Sequence, residues 1–201
     1  MPSCPTRCRL EHQSSFRNIL LPHSSIGLHP CDMSSSLTQA TKDYLTEGAQ
    51  SLTRRGYLPD LEKQLQSAFS ERTQPLLTDI LEIAALYRDI SGHQALRVRL
   101  EKITTDSCRK FHVDCVDLRL LRTYVGPGVQ WKTDNGSTVH QAPTGALVFL
   151  KGKHFPGWDK AEKILHRSPP LSDRPINERI RLLLTLDEAS ACADASLEMA
   201  A

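Results

Sequence analysis

The spacing of apolar residues changes at Gly92, and this change constrains the fold more than any other feature of the chain. Before Gly92, apolar residues recur at the helical interval of about 3.6 residues, whereas after it Leu96, Val98 and Leu100 alternate with charged residues. Alternation of this kind is typical of a strand with one buried face. The chain is therefore expected to join an N-terminal helical part to a C-terminal part built of strands.

Three helices are predicted in the first part. An apolar stripe that begins at Leu37 predicts a first helix, which Gly56 can end. Pro59 opens a second helix, and a third runs from about Pro75 to Gly92. These stripes are interpreted as packing surfaces, and no chemistry is assigned to them.

Strands dominate the second part, with turn-forming Gly, Pro, Asn and Asp residues between them. Besides the run around Val98, the predicted strands cover residues 116–125, 146–151, 163–167 and 179–186. Because no helix separates these short strands, an antiparallel arrangement is expected rather than a parallel α/β sheet. The predicted fold class is α+β, with N-terminal helices packed on an antiparallel β-sandwich or barrel.

The predicted organisation has four parts. Residues 1–36 lack sustained periodicity and are expected to be a disordered leader, followed by a helical segment (37–92), a β-barrel metal-binding domain (93–188) and a flexible tail (189–201). Met33 precedes three serines and the first helical pattern, so residues 1–32 are interpreted as a start-site extension. A chain that begins at Met33 is expected to fold.

Composition excludes several function classes. Lys and Arg total 25 against 23 for Asp and Glu, and a formal charge of +2 does not favour nucleic acid as a partner. No window approaches the run of about eighteen apolar residues that a membrane helix needs. Six irregularly spaced cysteines argue against a secreted disulfide framework. A cytoplasmic protein is expected.

His112 and Asp114 are the first candidates for chemistry. On an extended segment, residues two apart point to the same face, so both side chains can bind one metal. His166, at the end of a later predicted strand, is the best-placed third ligand, because a closed barrel can bring distant strands together. Two histidines and one carboxylate with open positions form the arrangement of non-haem iron(II) oxygenases. The sequence therefore predicts an iron(II) site at these three residues.

The last predicted strand carries candidates for binding an acidic co-substrate. Arg179 and Arg181 alternate with apolar residues and share one face. If that face lines the metal site, a guanidinium can hold a carboxylate through two hydrogen bonds, as 2-oxoglutarate requires. Tyr124 can donate a further hydrogen bond. Tyr124 and Arg181 are the predicted catalytic residues, and Arg179 is a further co-substrate contact; the substrate is an unnamed small molecule or side chain.

Five segments in this part resemble a known family. They are residues 108–114 (CRKFHVD), 118–131 (LRLLRTYVGPGVQW), 145–152, 166–170 and 181–187. In this order they resemble the bacterial domain-of-unknown-function family eighteen twenty-six, which is often found beside zinc-responsive genes. The likeness spans roughly residues 95–187. Since the family has no established activity, the resemblance implies a domain more than a reaction.

The order of the motifs also resembles a larger group of enzymes. HxD, then a strand that begins with Gly, then His and finally Arg, is similar to the pattern of 2-oxoglutarate- and iron(II)-dependent dioxygenases. That resemblance implies a double-stranded β-helix, which is a cupin-like barrel. It also implies iron(II) and 2-oxoglutarate as cofactors.

Two other functions stay open at this point. Cys108, His112 and Cys115 have the spacing C-x3-H-x2-C, and thiolate ligands favour zinc, as in a zinc-binding protein of metal homeostasis without redox catalysis. Cys115 directly follows Asp114 and should face the other way. The second alternative is a metal-free β-sandwich that binds a protein partner through the helices near residues 37–90.

Overall fold

The structure is a computed structural model that describes residues 13–191. Residues 1–12 of the predicted leader and 192–201 of the predicted tail lie outside the described residues. The helices are α1 (Gln13–Phe16), α2 (Ser35–Glu47), α3 (Leu58–Gln66) and α4 (Gln74–Ser91). Among the helices of residues 13–191, none has the length and apolar character needed to cross a membrane.

Strands in the described part of the chain form two antiparallel sheets. The strands are β1 (Ile26–His29), β2 (Ser51–Tyr57), β3 (Ala95–Ile103), β4 (Leu118–Val125), β5 (Gln130–Thr133), β6 (His140–Gln141), β7 (Leu147–Lys151), β8 (Ile164–Arg167) and β9 (Arg181–Glu188). The major sheet has six strands in the order β1-β7-β4-β9-β3-β2, and the minor sheet has three in the order β6-β5-β8.

The two faces of the major sheet pack against different layers. On β4, Leu118 and Leu120 pack in the same hydrophobic cluster as Ile80 and Ala84 of α4. Leu121, on the opposite face, belongs to a second cluster that includes residues of the minor sheet. The molecule thus has three layers, helices on the major sheet and the major sheet on the minor sheet. The predicted α+β class, with helices on an antiparallel β-sandwich of the double-stranded β-helix type, is confirmed.

The apolar helical stripes are largely covered within the chain. Leu77, Ile80 and Tyr87 of α4 are fully buried, as are Leu61 of α3 and Leu37 of α2. These side chains supply the cluster between the helices and the major sheet. Their interpretation as packing surface therefore agrees with the structure.

The N-terminal part differs from the sequence prediction in two places. The first helix ends at Glu47 rather than near Gly56, and residues 51–57 form β2, because Leu52 is buried against β3 while its neighbours are exposed. Within the predicted leader, Phe16 and Ile19 are 1% exposed, and β1 pairs with β7. Residues 13–36 are thus an integral part of the fold.

Candidate metal centre

Two backbone hydrogen bonds place His112 directly opposite His166. The amide of His112 donates to the carbonyl of His166 (3.0 Å), and the amide of His166 donates to the carbonyl of His112 (2.9 Å). His166 lies in β8, whereas His112 forms an isolated antiparallel bridge to it from the connection between β3 and β4. Directly opposed residues project to the same side. The two imidazole rings lie 4.6 Å apart between centroids.

Asp114 completes a group of three ligand-type side chains. Its Oδ2 lies 3.0 Å from Nε2 of His166, and its Oδ1 lies 3.5 Å from Nε2 of His112. One possible ligand atom from each residue lies within 4.8 Å of the others, and no second such group occurs within the described part of the chain. Ligands at about 2.1 Å from one metal and at right angles lie about 3 Å apart. The spacing therefore suits a single ion.

The carboxyl group of Asp114 is buried and charged. Burial would raise its pKa, but His166, His112 and Arg119 together hold the pKa of Asp114 well below its usual range. Although Oδ2 approaches His166, the geometry is not that of a hydrogen bond, and this buried oxygen has no hydrogen-bond partner among the described residues. An ionised oxygen in this state is suited to bind a cation.

The backbone orients the imidazole of His112. Its Nδ1 lies 2.8 Å from the carbonyl oxygen of Lys110, and because a carbonyl only accepts hydrogen bonds, Nδ1 must carry the proton and donate. Nε2 is then the nitrogen available to a metal, on the side of Asp114. The contact with Asp114 raises the pKa of His112, against the effect of burial, and the Lys110 carbonyl raises it further.

Arg181 lies at the start of β9 and is 1% exposed. Its Nε donates to the carbonyl of Pro127 (2.7 Å), Nη1 to the hydroxyl of Ser168 (2.9 Å) and Nη2 to that of Thr123 (3.3 Å). Burial lowers the pKa of Arg181 to about 10, so the guanidinium stays charged at neutral pH. No carboxylate of residues 13–191 forms an ion pair with it, although Ser168 is only two residues beyond His166.

The turn that follows β4 allows this packing. Gly126 has a φ of 81°, and a Cβ at this position would collide with the carbonyl oxygen of Ile180. Glycine satisfies both the left-handed backbone and the close approach. This turn places the carbonyl of Pro127 where it accepts a hydrogen bond from the guanidinium of Arg181.

Arg179 and Tyr124 lie away from the three-residue group. Arg179 donates to the carbonyls of Arg174 (2.9 Å) and Ser172 (3.0 Å), within the loop before β9. The hydroxyl of Tyr124 donates to Oδ2 of Asp79 on α4 (2.6 Å), so Tyr124 faces the helical layer. The structure brings Arg181, but neither of these two residues, to the side of His166.

The cysteines of the zinc alternative do not join the site. Cys108 and Cys115 are free and exposed. Among the described residues, the converging ligand atoms come from His112, Asp114 and His166. The C-x3-H-x2-C spacing is therefore not assembled into one cluster.

Two residues near the site were missed by sequence reasoning. Arg119 places Nη1 2.5 Å from Oδ1 of Asp114, and Trp131 is paired in register with His166 on the minor sheet. The sequence offers an indication of Arg119, because it is a charged residue within a largely apolar strand, on the face opposite Leu118. Trp131 has none, because its strand was not recognised.

The residues present fit a single metal ion and, near it, an anionic group. Two imidazoles and one carboxylate leave further positions on one side of an ion open, which is the ligand set of non-haem iron(II) enzymes. The unpartnered Oδ2 of Asp114 fits the ion, and the charged guanidinium of Arg181 fits an anionic group.

Comparisons with known proteins place the fold. A prolyl-4-hydroxylase of Pseudomonas putida superposes with a TM-score of 0.51 at 12% identity, over 89% of this chain and 99% of that chain. A full-length Neurospora crassa protein, in complex with alpha-KG and 5-formyluracil, gives a TM-score of 0.50 at 12% identity, over 87% of this chain and 78% of that chain. At these identities the likeness shows a common fold.

Sequence comparison gives the family. No curated protein matches the chain. The family model described as "Protein of unknown function (DUF1826)" matches residues 11–187, which include every helix and strand from α1 to β9 apart from the last residue of β9. The predicted relationship is confirmed: this chain belongs to the DUF1826 family.

Proposed function

We propose that this protein is a mononuclear iron(II) oxygenase that uses 2-oxoglutarate as co-substrate. One observation carries the proposal: His112, Asp114 and His166 converge, and two residues beyond His166 the hydroxyl of Ser168 accepts a hydrogen bond from the buried Arg181, which has no carboxylate partner among the described residues. A buried guanidinium without a counter-ion is costly, and a bound carboxylate would remove that cost. In this proposal, His112, Asp114 and His166 bind a metal ion, and Arg181 binds a carboxylate.

The fold comparison supports the same assignment. The Neurospora crassa structure, which shares this fold, was determined in complex with alpha-KG, another name for 2-oxoglutarate. The zinc alternative receives no such support, since Cys108 and Cys115 are exposed and lie outside the converging group. The metal-free alternative is weakened because the helices use their apolar stripes within the chain.

Each part of the site has a distinct task in this proposal. A bound iron(II) would supply activation of O₂, coupled to oxidative decarboxylation of 2-oxoglutarate to succinate. His112, Asp114 and His166 would hold the ion, and Arg181, which donates to Ser168, would hold a carboxylate of the co-substrate. Leu121 and Leu183 belong to the apolar cluster between the sheets, and in this proposal the cluster would exclude water from the site. The primary substrate stays a small molecule or a side chain.

Metal content tests the first half of the proposal. The untagged protein, loaded with iron(II) without oxygen and then dialysed, should hold about one iron per chain, as expected of a single three-ligand site. Asp114→Ala, His112→Ala and His166→Ala should each lose it, because each removes a ligand. Cys108→Ser and Cys115→Ser are the matched controls and should keep it. Loss in a cysteine variant with retention in Asp114→Ala would establish the zinc-type cluster instead.

Co-substrate turnover tests the second half. Turnover that is not coupled to a primary substrate would still convert 2-oxoglutarate to succinate, so slow succinate formation is expected in the presence of iron(II) and O₂. Asp114→Ala should abolish succinate formation. If the iron-loaded parent neither binds 2-oxoglutarate nor forms succinate, the co-substrate assignment fails while the metal site stands.

A further inference from the structure

A row of alternating positive and negative side chains runs across the major sheet and ends at Asp114, one of the three proposed metal ligands. Arg97 of β3 pairs with Asp187 of β9, and the other oxygen of Asp187 accepts a hydrogen bond from Nε of Arg119 on β4 (2.6 Å). Nη1 of Arg119 then lies 2.5 Å from Oδ1 of Asp114. Arg97 is 1% exposed and Asp187 is 0% exposed. Arg119 is thus held from behind by a buried ion pair while its other end contacts Asp114.

The two oxygens of Asp114 differ because of this contact. Oδ1 faces Arg119 and, at 3.5 Å, Nε2 of His112. Oδ2 faces His166 and has no hydrogen-bond partner among the described residues, although it is buried. Because the contact with Arg119 occupies Oδ1, Oδ2 is the oxygen that Asp114 presents more freely to a metal.

We propose that Arg119 is a positioning residue that fixes Asp114 as a ligand through Oδ2 alone. The inference rests on the proposed metal site and adds to it a residue that touches neither metal nor substrate. Asp187 anchors Arg119, so the row from Arg97 to Asp114 sets the orientation of the carboxylate. Binding through one oxygen leaves one more position on the ion for other ligands than binding through both.

The direction in which metal affinity changes on removal of Arg119 distinguishes a positioning role from a purely electrostatic one. Arg119 is a cation next to a cation site, so its charge alone weakens metal binding, and its removal would then tighten it. If Arg119 instead orients the ligand, its removal weakens metal binding, by about ten- to a hundredfold for groups that orient ligands. A purely structural role would lower thermal stability and leave the affinity of the folded protein unchanged.

The test measures iron(II) affinity without oxygen, by competition with a chelator, together with thermal melting. Arg119→Leu should bind iron(II) about ten- to a hundredfold more weakly than the parent. Asp187→Asn keeps Arg119 but weakens its anchor, and should show a smaller loss in the same direction. It also keeps the proposal testable if Arg119→Leu does not fold.

Arg122→Leu is the matched control. Arg122 lies on the same strand, is 0% exposed and pairs with Asp79 on the helical side (3.4 Å), so its loss should lower stability but leave iron affinity unchanged. Unchanged or tighter iron binding by both Arg119→Leu and Asp187→Asn would overturn the role of Arg119. Failure of the parent itself to bind iron would instead overturn the proposed metal site.

Discussion

Arg181 is the residue whose environment most needs a ligand. Its guanidinium donates to one carbonyl and two hydroxyls, all neutral acceptors, and it is buried. The other buried arginines of the described residues have an acidic partner, Arg97 with Asp187 and Arg122 with Asp79. The contrast supports the proposed role of Arg181 in binding the carboxylate of a co-substrate.

Replacement of Arg181 by Lys should therefore separate co-substrate binding from metal binding. The charge remains, but the planar guanidinium that can hold a carboxylate through two hydrogen bonds is lost. The affinity for 2-oxoglutarate, measured by calorimetry on the iron-loaded protein without oxygen, should fall about tenfold or more, since one strong charge-assisted bond contributes about 1.5–3 kcal/mol. Iron affinity should not change.

Arg179→Lys supplies the comparison for that experiment. Arg179 donates to the carbonyls of Arg174 and Ser172 in the loop before β9. Its replacement should leave 2-oxoglutarate affinity at the level of the parent. Equal affinity in Arg181→Lys and the parent would remove Arg181 from the co-substrate site.

At the level of single residues, the sequence predicts the three proposed metal ligands better than the residues around them. His112 and Asp114 are visible because their spacing puts both on one face, and His166 because a strand ends there. The side of the sheet on which Tyr124 lies could have been predicted. On β4 it is an even number of residues from Leu118 and Leu120, which face the helices. The contact of Arg119 with Asp187 joins residues 68 positions apart, which no local pattern encodes.

Among the elements, α4 shows most directly how local sequence sets a boundary. Thr73 precedes it, Pro75 lies in its first turn, and Gly92 ends it with a φ of 78°. A Cβ on Gly92 would meet no atom within 4 Å. The glycine is thus required by its backbone conformation and not by crowding.

Gly92→Ala should then carry only the backbone cost of the left-handed conformation. The expected loss is about 1–2 kcal/mol in the free energy of unfolding, measured by denaturant titration. Gly92→Asn should lose less, because asparagine tolerates this conformation better. An alanine variant as stable as the parent would show that α4 can end in another way.

β2 shows where local pattern fails. Leu52 continues the apolar stripe that begins at Leu37, so helical periodicity alone extends the first helix. In the structure Gly48 follows the helix, and residues 51–57 pair along their whole length with β3. Residues 51–57 form a strand because they pair with β3, which follows α3 and α4 in the chain. Such long-range pairing overrides the local preference for helix.

For the whole molecule, the segment before α2 is part of the core. The ring of Phe16 lies 4.1 Å from that of His29 and 6.0 Å from that of Phe149, measured between centroids. Loss of one buried Phe side chain costs about 3–5 kcal/mol, against about 5–15 kcal/mol for the stability of a typical domain. The expectation that a chain beginning at Met33 would fold therefore has to be revised.

A variant without residues 1–32 should lose cooperative thermal unfolding or melt far below the parent. Circular dichroism during heating is the measurement. Leu20→Ala is a control within the same segment, since Leu20 is 36% exposed and should have little effect. A cooperative transition at the temperature of the parent would show that the segment is dispensable.

The position of β1 has a further consequence for solubility. β1 covers the outer side of β7, whose five residues, LVFLK, are all buried. Without β1, the backbone amides and carbonyls of this apolar strand would be open to pair with strands of other molecules. β1 itself has only four residues and a glycine among them, which makes it a poor template for such pairing. The N-terminal strand thereby protects the sheet against edge-to-edge aggregation.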